Sequence, residues 1–130
     1  VNDDATLPGD PDLTIARVQE QVEQAQQRAR VAQQMRVEVE AVRGKATSPR
    51  RELAVTVDAS GRLVDVELSD AAMDLRTRDL SRLIVETAQA AQRDAGEQAV
   101  AVTSRAFGDE SPVVARLRDE LDARAAEAED

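Results

Sequence analysis

The chain is predicted to fold as an α+β domain: a long N-terminal helix, a three-stranded antiparallel meander, a long second helix and a short C-terminal helix. Three observations predict it. Leu53, Val55 and Val57, then Val64, Val66 and Leu68, alternate with small or polar residues on either side of Asp58-Ala59-Ser60-Gly61, as a hairpin with one buried face requires. Before this hairpin, apolar residues recur at heptad-like spacing from Ile15 to Ala32. After it, a helical stripe runs from Leu80 to Ala95.

The first helix opens at Asp10-Pro11, an acidic N-cap followed by Pro at the first helical position. Ile15, Val18, Val22, Ala25, Ala29 and Ala32 form its seam, flanked by Gln and Glu, and Met35 extends it one residue out of step. A helix from Pro11 to about Met35 is roughly 37 Å long. That exceeds the width of a small sheet, so part of it is expected to project or to pair with another helix. The pairing partner is either a second copy of the chain or a helix of a different protein.

Val37, Val39 and Val42 suit either a continued helix or a strand, and Gly44 breaks both patterns. Thr47-Ser48-Pro49 and Arg50-Arg51 read as a turn. A first strand is therefore expected around Val42–Ser48, pairing with Glu52–Asp58. In the hairpin, the apolar pattern is expected to set Val55 opposite Val64, Leu53 opposite Val66 and Val57 opposite Arg62 across a four-residue type I turn. Gly61 supplies the positive φ at the end of the turn.

After a connection at Ser69–Asp74, Thr77 is the expected N-cap of the second long helix. Leu80, Leu83, Ile84, Thr87, Ala88, Ala91 and Ala95 mark the face expected to cover the sheet. The helix either bends at Gly96 or continues to about Arg105. Ser111-Pro112 starts the last helix, with Val114, Leu117 and Leu121 as its stripe. The expected organisation is an acidic disordered leader at 1–10, the α-β-β-β-α domain at 11–107, and an amphipathic helix with an acidic tail at 108–130.

Composition removes several function classes. The 130 residues include no Cys and no His, so thiolate and imidazole metal sites, disulfides and the commonest general base are absent. No phosphate-loop, dinucleotide, zinc or nucleophile-elbow motif occurs. The acidic pairs Glu38/Glu40 and Asp65/Glu67 read as solvent-facing strand residues, not as catalytic carboxylates or Mg²⁺ ligands. No enzymatic activity, cofactor, metal or small-molecule substrate is expected. No apolar run reaches membrane-spanning length, and the N-terminal residues lack the pattern of a secretory signal. The apolar inventory is mainly Ala, Val and Leu, with few larger side chains and a single Phe, a thin core that favours self-association.

The net charge of −9 hides an uneven distribution. Residues 1–27 carry −5, residues 28–51 carry +5 and residues 52–130 carry −9. The basic segment, Arg28, Arg30, Arg36, Arg43, Lys45, Arg50 and Arg51, is the candidate DNA-binding set, because guanidinium groups bind phosphate bidentately and stay charged. The competing reading is a solvated surface that keeps a sheet edge from aggregating. With no aromatic residues among the bases, stacking on single strands or RNA is disfavoured. Arg76, Arg78 and Arg82 flank the start of the second helix and are expected either to meet an anion or to pair with Asp74, Asp79 or Glu86.

The segment GKATSP, then RELAVTVDASGRLVDVELSD, then LSRLIVETAQAAQRDA, resembles the YbaB/EbfC family of small bacterial nucleoid-associated proteins, most of all its actinobacterial members. The resemblance covers about half of the chain. It implies an α-β-β-β-α core and a homodimer formed mainly through the sheets, with helices projecting as tweezer-like arms. It also implies binding of double-stranded DNA with little sequence preference, a gene-regulatory role, residence on the cytoplasmic nucleoid and no enzymatic activity. The chain departs from the family pattern in its acidity and in the added Ser111–Asp130 segment. The alternative the resemblance leaves is a protein-interaction adaptor or secretion-system-associated protein of the same fold without DNA binding.

Overall fold

The computed structural model describes residues 10–129, so the leader expected at 1–10 lies, except for Asp10, outside the described residues. Two units divide the described chain, one ending at Gln34 and one beginning at Met35. The elements run α1 (Pro11–Glu40), β1 (Gly44–Thr47), β2 (Leu53–Val57), β3 (Leu63–Leu68), a short 3₁₀ turn (Asp70–Asp74), α2 (Thr77–Phe107) and α3 (Pro112–Glu129). The fold is α+β, with the sheet order β1-β2-β3 and both pairs antiparallel.

The first unit is helical throughout its length from Pro11. Asp10 caps it as expected: its carboxylate accepts the Asp12 N–H at 2.9 Å and its carbonyl accepts the Thr14 N–H at 3.0 Å. No residue of α1 is buried.

In the second unit, α1 continues through Val37 and Val39 to Glu40, not into a strand. The physical reason is helical spacing: Met35, Val39 and Val42 fall on one face and join the core, while Val37 is exposed. This also corrects the reading of Glu38 and Glu40 as strand residues. The first strand is Gly44–Thr47, inside the expected range, with Gly44 opposite Val57 and Thr47 opposite Ala54.

The expected hairpin register is wrong by two residues. Val55 lies opposite Val66 and Leu53 opposite Leu68, and a bulge at Thr56/Val57 leaves Val57 opposite Leu63. The turn itself causes the shift. The expected Asp58–Gly61 bond forms, with the Gly61 N–H donating to the Asp58 carbonyl at 3.0 Å, and Gly61 takes φ of 87°. Asp58 then closes the loop one residue later, donating its N–H to the Arg62 carbonyl at 2.9 Å. The extra residue is absorbed by the bulge, which returns the strands to an apolar-on-apolar phase.

Helix α2 lies over β1 and β2. Ala91 and Ala95 meet Val42, Leu53, Val55 and Val57, with Leu80, Leu83, Ile84 and Ala88 packed at the margin, so its apolar face is the one expected. Thr87 is buried on the same face and donates to the Leu83 carbonyl at 2.7 Å. The helix does not cover β3, every residue of which is exposed. Thr77 is the first residue of α2 and not its cap. Arg76 holds the cap position with no side-chain bond, and its carbonyl accepts the Leu80 N–H.

Gly96 does not end α2. It is buried where Leu121 of α3 crosses, and a Cβ there would lie 2.5 Å from Leu121 Cδ2. Ser111 caps α3, its Oγ accepting the Val113 N–H at 3.2 Å, and Val114 is buried.

Gly44 and Gly96 both permit close approach, with different obstacles. A Cβ on Gly44 would strike the Ala91 carbonyl oxygen and would come 2.6 Å from Ala95 Cβ, both fixed by the helix backbone. On Gly96 it would meet the end of a mobile leucine. Gly44→Ala is expected to lower unfolding stability by about 2 kcal/mol or more. Gly96→Ala should cost much less, because the helix gains about 1 kcal/mol from losing an interior glycine. Urea unfolding of the two variants checks the order. Val55→Asp, with the charge placed where Val55 is 1% exposed, is expected to cost more than about 4 kcal/mol and abolish the cooperative melt.

Candidate nucleic-acid interface

The seven candidate bases fall on both units. Arg28 and Arg30 lie on the first, and Arg36, Arg43, Lys45, Arg50 and Arg51 on the second. All seven are exposed. The ion pairs among the described residues are Arg62–Asp58 at 3.4 Å, Arg105–Glu38 at 3.9 Å and Arg118–Glu97 at 3.9 Å, and none uses a candidate base. In an acidic chain this is the informative result: Glu38 pairs with Arg105, and Glu52, though it feels the Arg50 charge, makes no ion pair with it.

Their local roles differ. Arg30 donates to the Gln27 side-chain oxygen at 2.6 Å, one turn away on α1. Arg43 donates to the Glu40 and Val42 carbonyls at 3.1 and 2.7 Å, which occupies part of its fork with the C-terminal end of α1. Lys45 is on the sheet face away from α2, in a row with Thr56 and Asp65. Arg50 and Arg51 form the tip between β1 and β2. Arg43 and Arg50 therefore sit at opposite ends of a four-residue strand, roughly 13 Å apart along it. Arg43, Lys45, Arg50 and Arg51 form a discontinuous line along β1, not one cluster, and Arg36 lies on α1.

The Arg50–Arg51 tip is rigidly built. Glu52 is buried, and its Oε1 accepts the Ser48 hydroxyl at 2.8 Å and the Arg50 N–H at 3.0 Å. Ser48 Oγ accepts the Leu53 N–H at 3.0 Å, and the Ser48 carbonyl accepts the Arg51 N–H at 2.9 Å. Arg51 has φ of 60°, in the left-handed region, so the tip holds a strained conformer that presents both guanidinium stems outward. The Glu52 carbonyl, in turn, accepts the Ser69 N–H and hydroxyl, both at 2.8 Å. Sequence reading missed Glu52 as the organiser of this tip. The available signal was the Ser48-to-Glu52 spacing around Pro49, which reads as a turn but does not reveal burial.

At the other end of β1, Asp94 and Gln98 of α2 fix the strand. Asp94 Oδ2 accepts the Lys45 N–H and the Gln98 amide, both at 2.9 Å, and Gln98 also donates to the Arg43 carbonyl at 2.8 Å. Arg76, Arg78 and Arg82 are exposed and make no ion pair with Asp74, Asp79 or Glu86 among the described residues. Also among the described residues, no group of three or more Asp, Glu, His or Cys is placed to hold a metal, and no helix is long and apolar enough to cross a membrane.

Comparison with known proteins adds one finding. The family model described as the YbaB/EbfC DNA-binding family matches residues 15–110, which include α1 from Ile15, the whole sheet and α2. No curated protein matches the chain, and no solved structure does.

The Glu52 carboxyl is held below its ordinary value of 4.5 by its own main-chain N–H first, then by the Ser48 hydroxyl and the Arg50 N–H. The Asp58 carboxyl is held below its ordinary 3.8, chiefly by the Ser60 hydroxyl. A depressed folded-state pKa contributes stability that is complete above the unfolded value and is lost as pH falls through the folded one. Unfolding stability is thus expected to be flat from neutrality down to about pH 5 and to fall below about pH 4.5. Glu52→Gln should lower stability at pH 7 and flatten the acid limb, as urea titrations at pH 7 and pH 3 would show. An unchanged acid limb would mean that the Glu52 bonds do not form in solution.

Proposed function

Since the chain belongs to the YbaB/EbfC DNA-binding family, we propose that it is a homodimeric nucleoid-associated protein that binds double-stranded DNA with little sequence preference, mainly through phosphate. The observation that carries this reading is the set of exposed bases at 28–51, left out of every ion pair among the described residues of a chain with net charge −9. Bases already neutralised by carboxylates would release few counterions on meeting a duplex, and unpaired ones release nearly one per phosphate contact. The rigid Arg50–Arg51 tip and the line along β1 suit backbone contacts. The absence of aromatic residues beside the bases disfavours base stacking.

The homodimer is supported by β3. Leu63, Val64, Val66 and Leu68 are between 38% and 60% exposed, on the edge strand of a sheet whose α2 covers only β1 and β2. An apolar edge strand left in water is an association site. Residence on the nucleoid follows from the same reading, as does the division into a family domain at 11–107 and an added helix at 108–130. A second reading, a protein-interaction adaptor of the same fold, is favoured by the acidic remainder of the chain. Its sheet face away from α2 carries Asp65 and Glu67 beside Lys45.

A gel shift on random duplex at increasing salt separates the two. With about four to six phosphates engaged, the slope of log K against log[salt] is expected to be roughly −4 to −5. The variant with Arg28, Arg36, Arg50 and Arg51 all changed to Ala should lose most of its affinity and flatten the slope. Unchanged binding by that variant would reject these bases as the contacts, and no binding by the wild type at low salt would leave the adaptor.

A further inference from the structure

We propose that Asp94 and Gln98 stand in for a neighbouring strand on the β1 edge, so that the sheet extends only through β3 and association of the chain stops at two copies. This rests on the homodimer reading of β3 and not on DNA binding. The sheet order β1-β2-β3 leaves two edges, and they are built differently. Every residue of β3 is exposed, and among the described residues no side chain is bonded to its main chain.

The β1 edge is occupied. Ser48 donates its N–H to the Leu53 carbonyl, so Ser48, Ala46 and Gly44 turn their main-chain groups toward β2. By the same alternation Arg43, Lys45 and Thr47 turn theirs outward. The Gln98 amide donates to the Arg43 carbonyl at 2.8 Å, and the Lys45 N–H donates to Asp94 Oδ2 at 2.9 Å. In a parallel ladder a single residue of the neighbouring strand makes this pair of bonds, its N–H to one carbonyl and its carbonyl to the N–H two residues on. Asp94 and Gln98 reproduce that residue beside Gly44 with a carboxylate and a carboxamide. They sit one turn apart on α2, and the Gln98 amide also donates to Asp94 Oδ2 at 2.9 Å, which holds the two together. Helix α2 itself stands against Gly44, whose missing side chain admits the Ala91 carbonyl and Ala95 Cβ. An incoming strand has to break both bonds, and what is left for it is the Lys45 carbonyl and Thr47 on a four-residue strand.

The closure decides how far association runs. Two copies joined through β3 about a two-fold axis use up both β3 edges and leave two β1 edges facing outward. Open, those edges would carry the sheet from one dimer to the next without an end. Such pairing would also crowd the line of bases at Arg43 and Lys45. With the Arg43 carbonyl and the Lys45 N–H already bonded, the pair of copies is closed and its bases stay accessible.

Sedimentation velocity of the full chain across a wide range of concentration tests this. The wild type is expected at twice the 14.1 kDa of one chain throughout. Asp94→Ala combined with Gln98→Ala should give species beyond the dimer that grow with concentration. Asp94→Asn, whose amide oxygen can accept both bonds, should stay at the dimer. Adding Lys45→Pro to the double alanine variant should restore the dimer, since proline removes the outward N–H and is tolerated on an edge strand. A double alanine variant that melts natively and remains dimeric would overturn the proposal. Amide exchange of the wild type gives a readout that does not depend on any variant folding, and it decides the matter should the double alanine variant lose its melt. Corrected for intrinsic rates, the Lys45 N–H should exchange at least about ten times more slowly than the Thr47 N–H. Equal rates would also overturn the proposal. A wild type that sediments as a monomer strikes the homodimer reading alone, and the β1 closure is then scored by the growth of larger species in the double alanine variant.

Discussion

The fold depends on how closely β1 can approach α2. Gly44 abuts the Ala91 carbonyl and Ala95, and the two helix alanines together with Leu53, Val55 and Val57 make the centre of the core. Alanine at the contact brings helix and sheet close, and close approach narrows what one helix can cover. The core contains no aromatic ring, and its largest fully buried side chains are one leucine and three valines. Such a core supplies a modest hydrophobic term, and it ends at β2. The apolar residues of β3 are thus a consequence of the same choice that makes the rest of the unit fit together. A sheet of this composition finishes its burial by association.

The close contact also organises the charged residues. Asp94 and Gln98 come from α2 one turn along from the alanine contact, and they bind the main chain at Arg43 and Lys45. At the far end of β1, Glu52 is withdrawn from solvent to bind Ser48 and the Arg50 N–H. In both places a carboxylate close to bases is held by a backbone N–H together with a hydroxyl or amide, and the Arg50 charge is only the smallest of the influences on Glu52. That arrangement explains how a chain with 26 acidic and 17 basic residues keeps a set of bases outside every ion pair among the described residues. A net charge therefore says little about which anion a protein can meet, because charges held by the backbone are local and ion-pair partners are specific.

Much of this was legible in the residues. The β2 alternation, the Asp58–Gly61 turn, the Ser111-Pro112 start and the α2 face from Leu80 to Ala95 each rest on a local pattern with a single physical cause, and each appears in the structure, whereas the buried face expected of β3 is exposed. The register was not legible, because a shift by two residues leaves every side chain on its own face and the pattern cannot count it. Val37 and Val39 misled because β-branched residues at alternate positions also satisfy a helix when Met35, Val39 and Val42 are the ones buried. Of the candidate site, the residue types and their exposure were readable. Their spread along β1, the partial commitment of Arg43 to carbonyls and the burial of Glu52 were not, since each depends on contacts between residues far apart in sequence.

The central claim is that the bases at 28–51 meet a duplex backbone. Backbone hydrogen exchange with and without random duplex at low salt tests it most directly, since it reports where the contact falls. The account predicts slowed exchange in α1 from Arg28 and at the Arg50–Arg51 tip, little change in α3, and reversal of the slowing as salt is raised. Protection confined to α3, or to the Asp65 and Glu67 strand, or no change anywhere at low salt, would contradict it.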